Sequence, residues 1–286
     1  MNAARIHPWK RRIKGQLKQY RLGFVRWRYG FGPDELSLAL QQLGVAKGDV
    51  LMVHSSMDRF EAFTGKTSEI LTVLRATVGH AGLLLMPTLP FTGTALEWVQ
   101  SNTLFDVQTT PSRSGLLTEL FRRSPDVVRS VHPTHAMAAL GERANRFCQD
   151  HAICTTPCGI GSPYAKLLET NGKILFLGAP LESMTFFHTV EAILEPRMPV
   201  SPFTSETFQI QSRTATGDLV TTTTRLFNPE LSRRRKMALM IPCLQSRPGE
   251  WRHARLGTVD LLLLNAQGVL TTLTDMAARG QFCYDL

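Results

Sequence analysis

At residues 48–56 the chain reads Gly48-Asp49-Val50-Leu51-Met52-Val53-His54-Ser55-Ser56, an apolar run followed by polar side chains. The apolar run Val50 to Val53 predicts a short buried strand, because continuous apolar runs of this length are typical of strands covered on both faces. A polar segment follows at once. In open α/β sheets, ligands bind beyond the carboxyl ends of such strands, so this segment is a candidate binding loop.

The same pattern occurs again in the next part of the chain. Ser68 to Val78 is predicted to be a helix, and Gly82 to Thr88 is a second apolar strand that ends in a polar turn. Alternation of strands and helices predicts α/β architecture. Further on, Phe203 to Leu226 alternates in polarity and predicts an antiparallel hairpin that turns at Gly217-Asp218. The expected fold class is therefore α/β, with a mixed sheet and flanking helices.

Two histidines lie close together in the segment Arg129 to Gly141. His132 and His135 flank Pro133, which fixes its own φ and biases His132 towards extended backbone. We expect both histidines on a rigid turn that leads into a strand. Histidine takes up and releases protons near neutral pH, so a catalytic role is one interpretation, and two surface histidines in a loop are the other.

A second candidate group lies between Met184 and Ala192. If this segment is helical, Thr185, His188 and Glu191 follow one another at intervals of three residues and share one face. A histidine and a carboxylate placed in this way can form an orienting pair or half of a metal site. The alternative is a polar stripe that faces water.

The positive charge of the chain is concentrated at its start. The formal net charge is +9, and residues 1–30 contain nine basic side chains and no acid. The other residues carry 23 basic and 23 acidic side chains, so they are formally neutral. We therefore predict a basic, aromatic arm over residues 1–30 and a single α/β domain over residues 31–286. The arm is suited to an anionic membrane or an acidic protein; the alternative is a solvated helix packed on the domain.

Several partners and compartments are disfavoured by the sequence. No RNA-binding signature accompanies the arm, so we expect no nucleic-acid partner. No apolar run reaches the roughly 20 residues that span a bilayer, and no secretory signal is recognisable. The five cysteines form no disulfide framework or zinc pattern, so we predict reduced thiols, no metal and a cytoplasmic location, with the inner membrane face as an option. The run Arg233 to Lys236 is predicted to be a solvated face.

Taken together, five segments resemble the aminoglycoside 3-N-acetyltransferase family. They occur in the family's order and cover roughly residues 35–270. They are Gly48-Asp49 through Ser56; Pro111-Ser112-Arg113-Ser114-Gly115; Arg129 to Pro133 with Ala139-Leu140-Gly141; Gly159-Ile160-Gly161-Ser162-Pro163; and Leu177-Gly178-Ala179-Pro180 leading to Thr185, His188 and Glu191. The resemblance implies the family's fold, which differs from the GNAT acetyltransferase fold, and transfer of acetyl from acetyl-CoA to an amine of an amino sugar.

The resemblance also implies roles for individual residues. Its reaction needs a base for the amine and an acid that orients the base. The catalytic candidates are His132, His188, Glu191 and His151, and the choice of the base among the histidines stays open. The candidates for holding the pantetheine and phosphates of CoA are His54, Ser55, Ser56, Ser114 and Gly115. The candidates on the acceptor side are Asp58, Thr185 and His135.

The charge distribution bears on which class of acceptor the protein uses. A polycationic aminoglycoside is best matched by a strongly acidic cleft, whereas residues 31–286 are formally neutral. We therefore expect an amino sugar linked to a nucleotide, a lipid or a surface polysaccharide, with aminoglycoside resistance as the alternative. Two further alternatives are a metal-dependent hydrolase that uses His54, His132, His135, His188 and Glu191, and a non-catalytic relative that binds a membrane or a partner. A homo-oligomer is left open.

Overall fold

The computed structural model describes residues 8–285, with side chains from residue 16 onward apart from residue 18. The first seven residues of the predicted arm therefore lie outside the described residues. The strands are β1 (Val50–Ser55), β2 (Leu83–Pro87), β3 (Phe105–Asp106), β4 (Val128–Arg129), β5 (Met137–Leu140), β6 (Lys173–Leu177), β7 (Phe203–Arg213), β8 (Leu219–Phe227), β9 (Arg252–Leu256) and β10 (Val259–Asn265). The α-helices are α1 (Pro8–Tyr29), α2 (Pro33–Leu43), α3 (Thr67–Val78), α4 (Ala95–Gln100), α5 (Leu116–Arg122), α6 (Ala144–Cys148), α7 (Lys166–Glu169), α8 (Phe187–Leu194), α9 (Pro229–Arg233), α10 (Ile241–Gln245) and α11 (Ala266–Ala278).

A seven-stranded mixed sheet forms the centre of the molecule, in the order β4-β5-β2-β1-β6-β10-β9. The three central strands β2, β1 and β6 run parallel to one another, and the outer strands pair antiparallel on both sides. The structure thus confirms the predicted fold class, a mixed sheet with flanking helices. Parallel central strands need covering on both faces, which explains their continuous apolar sequences.

The two faces of the sheet are filled by alternate residues of each strand. In β1, Val50 and Met52 pack into one core with α8 and α11. Leu51 and Val53 point the other way and pack into a second core with α2, α3 and α5. The alternation follows from the period-2 geometry of a strand, in which successive side chains point to opposite faces.

Local signals fix the bounds of the helix before β1. Pro33 occupies the first turn of α2, and the side chain of Glu35 accepts a hydrogen bond from the backbone N–H of Gly32 (2.9 Å). Gly44 ends the helix with φ +107°, a conformation that glycine adopts without a Cβ penalty. These caps fix the two ends of α2, and a short connection then leads to β1.

The predicted hairpin is present as β7 and β8, which pair antiparallel and turn through Gly217. It forms a separate three-stranded sheet with β3. One difference from the sequence prediction concerns β1, which runs through Ser55, so His54 and Ser55 belong to the strand rather than to the following loop. Polar residues extend the strand here because β6 pairs with it as far as Leu177.

Helix α1 makes few contacts with the rest of the described molecule. Its side chains at Leu22 and Val25 are half-buried, and Val25 packs against the second core. Arg21 forms an ion pair with Glu61, and Nε of Arg26 donates to the Glu61 carbonyl at 3.3 Å. None of the helices described between residues 8 and 285 combines the length and apolarity needed to cross a membrane.

Candidate active site

A cleft of about 350 Å³ opens at the carboxyl ends of β1 and β2. Strand ends, the loop after β2, the start of α5 and the segment before α8 meet there. Its lining consists of Val53, His54, Ser55, Pro87, Leu89, Phe91, Thr92, Gly93, Arg113, Ser114, Thr118, Ser183 and Thr185. Parallel strands bring their carboxyl ends to one edge of the sheet, which is the usual place for a ligand in an open α/β fold.

Three of the five residues predicted to hold CoA line this cleft, namely His54, Ser55 and Ser114. The side-chain oxygen of Ser114 accepts a hydrogen bond from the backbone N–H of Leu89 (3.1 Å), which fixes its orientation. Gly115 lies next to them, and a Cβ added there would be 3.7 Å from the Ser55 carbonyl oxygen. Ser56 is not among the lining residues, although it directly follows the strand.

His54 is a neutral imidazole at the base of the cleft. Its ring stacks on Phe176 with 5.2 Å between the ring centroids, and its Nε2 is buried without a hydrogen-bond partner in the described structure. Burial lowers the pKa of His54 to about 3, because charging the ring there would lose its hydration. His54 therefore contributes a neutral, apolar wall rather than a positive charge.

His188 and Glu191 form a hydrogen-bonded pair on α8. Nδ1 of His188 contacts Oε2 of Glu191, as the spacing of three residues predicts for one helix face. The imidazole stacks on Phe227 with 3.8 Å between ring centroids and 26° between planes, so the ring cannot turn freely. The backbone N–H of His188 donates to the carbonyl of Thr185, which lines the cleft. His188 therefore lies three residues along the chain from Thr185, a residue of the cleft lining.

Burial controls the charge of this pair. It lowers the pKa of His188, and the nearby guanidinium of Arg235 acts in the same direction, so the imidazole is neutral at pH 7. Burial raises the pKa of the Glu191 carboxyl, and Arg235 opposes that rise because a positive charge favours the carboxylate. The result is a histidine that can accept a proton, hydrogen-bonded to a deeply buried acid.

His132 is completely buried, whereas the side chain of His188 is 12% exposed. Nδ1 of His132 accepts hydrogen bonds from the backbone N–H groups of Thr134 (3.3 Å) and His135 (3.2 Å). The proton therefore lies on Nε2, which is enclosed and has no partner in the described part of the chain. His132 is thus buried with both ring nitrogens enclosed in this structure.

His151 has both ring nitrogens engaged. Its Nε2 lies 2.8 Å from the Pro157 carbonyl and its Nδ1 lies 2.7 Å from the Ser130 hydroxyl, so Nε2–H donates and Nδ1 accepts. Ser130 in turn accepts from the backbone N–H of Met137 at 2.8 Å. The ring stacks on His132 at 4.5 Å, and burial lowers its pKa to about 4. This arrangement leaves neither nitrogen free for a substrate.

The three residues predicted on the acceptor side are dispersed. Thr185 lines the cleft, Asp58 is exposed on the turn after β1 and does not line it, and His135 is buried. The ring of His135 contacts the pair edge-on, with its centroid 5.9 Å from that of His188 and 5.1 Å from that of Phe227. His135 therefore supports the orientation of His188 and does not form part of the cleft wall.

Arg129, in the same segment as His132 and His135, is buried and donates several hydrogen bonds. Its guanidinium donates to the hydroxyl and carbonyl of Thr88 (2.9 and 2.8 Å) and to the carbonyls of Thr110 (2.6 Å) and Val107 (3.2 Å). It also lies over the Phe105 ring at 4.7 Å. Only a planar fork with several N–H donors can satisfy acceptors in this arrangement, so Arg129 joins the end of β2 to the loop around β3.

Three contributors to the site were not assigned from the sequence. Arg113 brings a positive charge to the cleft, Phe227 supplies the face on which His188 stacks, and Arg235 lies beside Glu191. The prediction that Arg235 is part of a solvated face is wrong, because its side chain is 17% exposed and covers the Phe187 ring. A run of four basic residues gives no signal for the one that turns inward.

Two of the buried cysteines are poor nucleophiles, and the described residues hold no cluster suited to a metal ion. Burial raises the pKa of Cys148 to about 12 and that of Cys154 to about 11, so both are thiols rather than thiolates at pH 7. Across the described residues, no group of three or more His, Cys, Asp or Glu side chains is placed to hold a metal ion. The metal-dependent hydrolase is therefore not supported.

The chain is similar in sequence to known acetyltransferases. The family model for aminoglycoside 3-N-acetyltransferase matches residues 52–278. Aminoglycoside N(3)-acetyltransferase VII of Streptomyces paromomycinus is 33% identical over 173 residues, which cover 56% of this chain and 60% of the relative. Aminoglycoside N(3)-acetyltransferase III of Serratia marcescens is 33% identical over 172 residues, covering 56% and 64%. The chain thus spans less than two thirds of the length of these curated relatives.

Solved structures agree over a larger share of the chain. A binary complex of AAC-IIIb with CoASH is 27% identical, has a TM-score of 0.71 and covers 87% of this chain and 97% of the other. A histidine-to-alanine variant of aminoglycoside acetyltransferase AAC(3)-IVa in complex with a gentamicin is 26% identical, with a TM-score of 0.72 and coverage of 88% and 90%. The chain belongs to the aminoglycoside 3-N-acetyltransferase family.

Proposed function

We propose that this protein is an acetyl-CoA-dependent N-acetyltransferase that acetylates an amine of an amino sugar. The observation that carries the proposal is the hydrogen-bonded pair of His188 and Glu191, one turn of chain from the cleft that Thr185 lines. Membership of the family and the CoASH complex of a relative support acetyl-CoA as the donor. The proposed chemistry uses side chains of the protein alone.

In the proposed reaction, His188 is the general base. Its Nε2 removes a proton from the acceptor amine, and Glu191 holds the proton on Nδ1 so that the lone pair of Nε2 is available. The amine nitrogen attacks the thioester carbonyl carbon; the C–N bond forms and the C–S bond breaks. The CoA sulfur leaves as a thiolate and takes up the proton held by His188. Acetyl thus passes directly from sulfur to nitrogen, without a covalent enzyme intermediate.

We assign the cleft to acetyl-CoA. Ser55 and Ser114 offer hydroxyl groups, Gly115 lets the ligand approach the backbone, and Arg113 adds a positive charge that suits phosphate groups. His54 is assigned to the apolar wall. His132 and His151 are assigned to structural support, because their ring nitrogens are enclosed or engaged. His135 is assigned to the support of His188, because its ring packs edge-on against that imidazole.

Ligand binding to this cleft is expected to stabilise the protein. Acetyl-CoA at about a hundred times its Kd should add about 2.7 kcal/mol to the free energy of unfolding and raise Tm by a few degrees. A Ser114→Trp substitution fills the cleft and should abolish the shift, whereas Ser205→Trp on the exposed face of β7 should keep it. Differential scanning fluorimetry with ATP as a polyanion control measures both. An equal shift with ATP, or a shift retained in Ser114→Trp, contradicts the assignment.

The acceptor class that the relatives favour is an aminoglycoside, since the curated relatives bear that name and one solved neighbour contains a gentamicin. A second candidate is an amino sugar linked to a nucleotide, a lipid or a surface polysaccharide. It is favoured by charge, because residues 31–286 carry as many basic as acidic side chains and Arg113 lies in the cleft. Release of CoA with gentamicin and with UDP-glucosamine as acceptors decides between them.

We further propose that α1 contacts an anionic membrane surface, as peripheral association at the inner face of the membrane. One stripe of the helix exposes Leu17 (62%), Tyr20 (79%), Phe24 (59%) and Trp27 (79%). These residues follow one another at helical spacing, so they form a continuous apolar edge on a segment without acidic residues. Aromatic side chains beside arginines are suited to the headgroup region of anionic lipids.

The membrane proposal predicts lipid-dependent sedimentation. The protein should co-sediment with phosphatidylglycerol vesicles at low salt and not with phosphatidylcholine vesicles, and its binding should fall as salt rises. Replacing both Phe24 and Trp27 by serine should abolish binding, whereas Leu38→Ser, at an exposed leucine of α2, should leave it unchanged. If the double variant sediments like the wild type, α1 is not the membrane contact. Dimerisation through α1 without vesicle binding also contradicts the proposal.

A further inference from the structure

Arg235 and His188 contact different oxygens of the Glu191 carboxylate. Oε2 of Glu191 is hydrogen-bonded to Nδ1 of His188, and Oε1 lies 3.9 Å from Nη2 of Arg235. At this distance the contact with the guanidinium is an ion pair rather than a hydrogen bond. The acid of the proposed catalytic pair therefore faces a histidine on one side and a fixed positive charge on the other.

The charge of Arg235 is little weakened by other contacts. Its guanidinium lies over the Phe187 ring at 5.3 Å, and Nε is buried without a hydrogen-bond partner among the described residues. An ion pair in such an apolar environment is only weakly screened by water or salt. Arg235 thus acts on Glu191 more strongly than a surface arginine at the same distance would.

The backbone around Arg235 is held by the last described segment of the chain. Arg235 pairs with Tyr284 in an antiparallel bridge, the N–H of Lys236 donates to the Cys283 carbonyl (2.8 Å) and the N–H of Asp285 donates to the Arg234 carbonyl (2.9 Å). The exposed side chain of Arg234 lies outside this packing. A single residue of the basic run is therefore held inward at a defined position.

The protonation of Glu191 decides which nitrogen of His188 is free. If Glu191 is a carboxylate, it accepts from Nδ1–H and leaves the lone pair on Nε2. If Glu191 is a neutral acid, its O–H donates to Nδ1, the imidazole proton moves to Nε2, and the base is lost. Burial favours the neutral acid, so a compensating positive charge is needed.

We propose that Arg235 is a positioning residue of the His188–Glu191 pair: its guanidinium favours the carboxylate form of Glu191 and thereby the tautomer of His188 in which Nε2 is unprotonated. This inference rests on the proposed function only for its effect on rate; the effect on the histidine tautomer stands without it. Removal of the Arg235 charge should move the imidazole proton of His188 to Nε2. It should also raise the pH at which the His188–Glu191 pair takes up a further proton.

Arg235 is the charge to test because the other groups that face the pair are neutral at pH 7. Cys158 and Cys283 face Glu191, and burial raises the pKa of both thiols, to about 12 for Cys283. His135 faces His188, and burial lowers its pKa, so its ring is neutral as well. Substitution at Arg235 therefore changes the permanent charge beside Glu191 and leaves these neighbours in the same protonation state.

The test follows the imidazole nitrogens of His188 by ¹⁵N NMR in the wild type and in Arg235→Gln, Arg235→Met and Arg235→Lys. His188 should carry its proton on Nδ1 in the wild type and in Arg235→Lys. In Arg235→Gln and Arg235→Met, His188 should carry its proton on Nε2. The midpoint of the His188 titration should be higher in these variants by about one pH unit or more. Arg234→Gln is the matched control and should behave as the wild type. Thermal melting establishes that each variant is folded.

Kinetics then distinguishes an effect of the Arg235 charge from an effect of Arg235 packing. At pH 7, Arg235→Gln and Arg235→Met should lower kcat by about tenfold or more with a KM within about threefold, and Arg235→Lys should restore most of kcat. An unchanged His188 tautomer and midpoint in both neutral variants overturns the inference. So does equal damage in Arg235→Lys, because the charge would then be irrelevant. If the wild type transfers no acetyl, the proposed function fails while the NMR result still decides the role of Arg235.

Discussion

Replacement of His188 by alanine should lower kcat/KM for acetyl transfer by about 10²- to 10⁴-fold, the usual effect of removing a general base. The side chain does not line the cleft, so the thermal shift with acetyl-CoA should be retained. The variant should thus bind the donor and fail in the chemical step. Steady-state kinetics over a range of acceptor concentrations, together with the melting temperature in the presence of acetyl-CoA, measures both effects.

Two companion variants sharpen this result. Glu191→Gln keeps the shape of the pair but removes the charge, so it should reduce kcat while leaving acetyl-CoA binding intact. His80→Ala, at an exposed histidine remote from the cleft lining, should behave as the wild type. If His188→Ala keeps near-normal activity while a folded His132→Ala variant loses about a hundredfold, the base is His132 and the assignment to His188 is wrong.

Acidification should unfold the protein near pH 5. Burial lowers the pKa of four histidines outside the pair, to about 3 for His54 and about 4 for His151, and well below 6.5 for His132 and His135. Above pH 6.5 these groups are neutral in both states and do not affect the free energy of unfolding. As the pH falls below 6.5, the unfolded chain takes up protons that the native state cannot bind, so stability is lost.

The expected loss is large. By pH 5 each such histidine costs about 2 kcal/mol, so the four together cost about 8 kcal/mol, similar to the whole stability of a typical domain. Urea denaturation at pH 7, 6 and 5 measures the free energy of unfolding and its slope.

A single substitution tests the origin of the acid sensitivity. His54→Met fills the same apolar position against Phe176 without a titrating group, so it should reduce the proton uptake on unfolding by about one and lower the pH of the transition. His80→Ala, which removes an exposed histidine, should leave the pH dependence unchanged. A free energy of unfolding that stays constant from pH 7 to pH 5 contradicts the assignment of buried neutral histidines.

Short-range sequence signals predicted much of the fold. The apolar run of β1 and the glycine after α2 act locally, and the spacing of His188 and Glu191 on a helix determines that they meet. The enclosure of His132 could not be predicted, because it depends on His151, which is close in space but not in the local pattern. The inward turn of Arg235 depends on pairing with Tyr284, a contact that composition alone does not reveal.

The strand order of the central sheet has a consequence for synthesis of the protein. β1 pairs with β6, where Met52 lies opposite Ile174, so more than a hundred residues separate the two central partners. Closing so long a loop is slow, and the pairing cannot begin until β6 has left the ribosome. Until then β1 can pair with β2 but lacks its second partner. The edge of β1 that faces β6 in the finished sheet is therefore unpaired during synthesis, and unpaired strand edges favour aggregation.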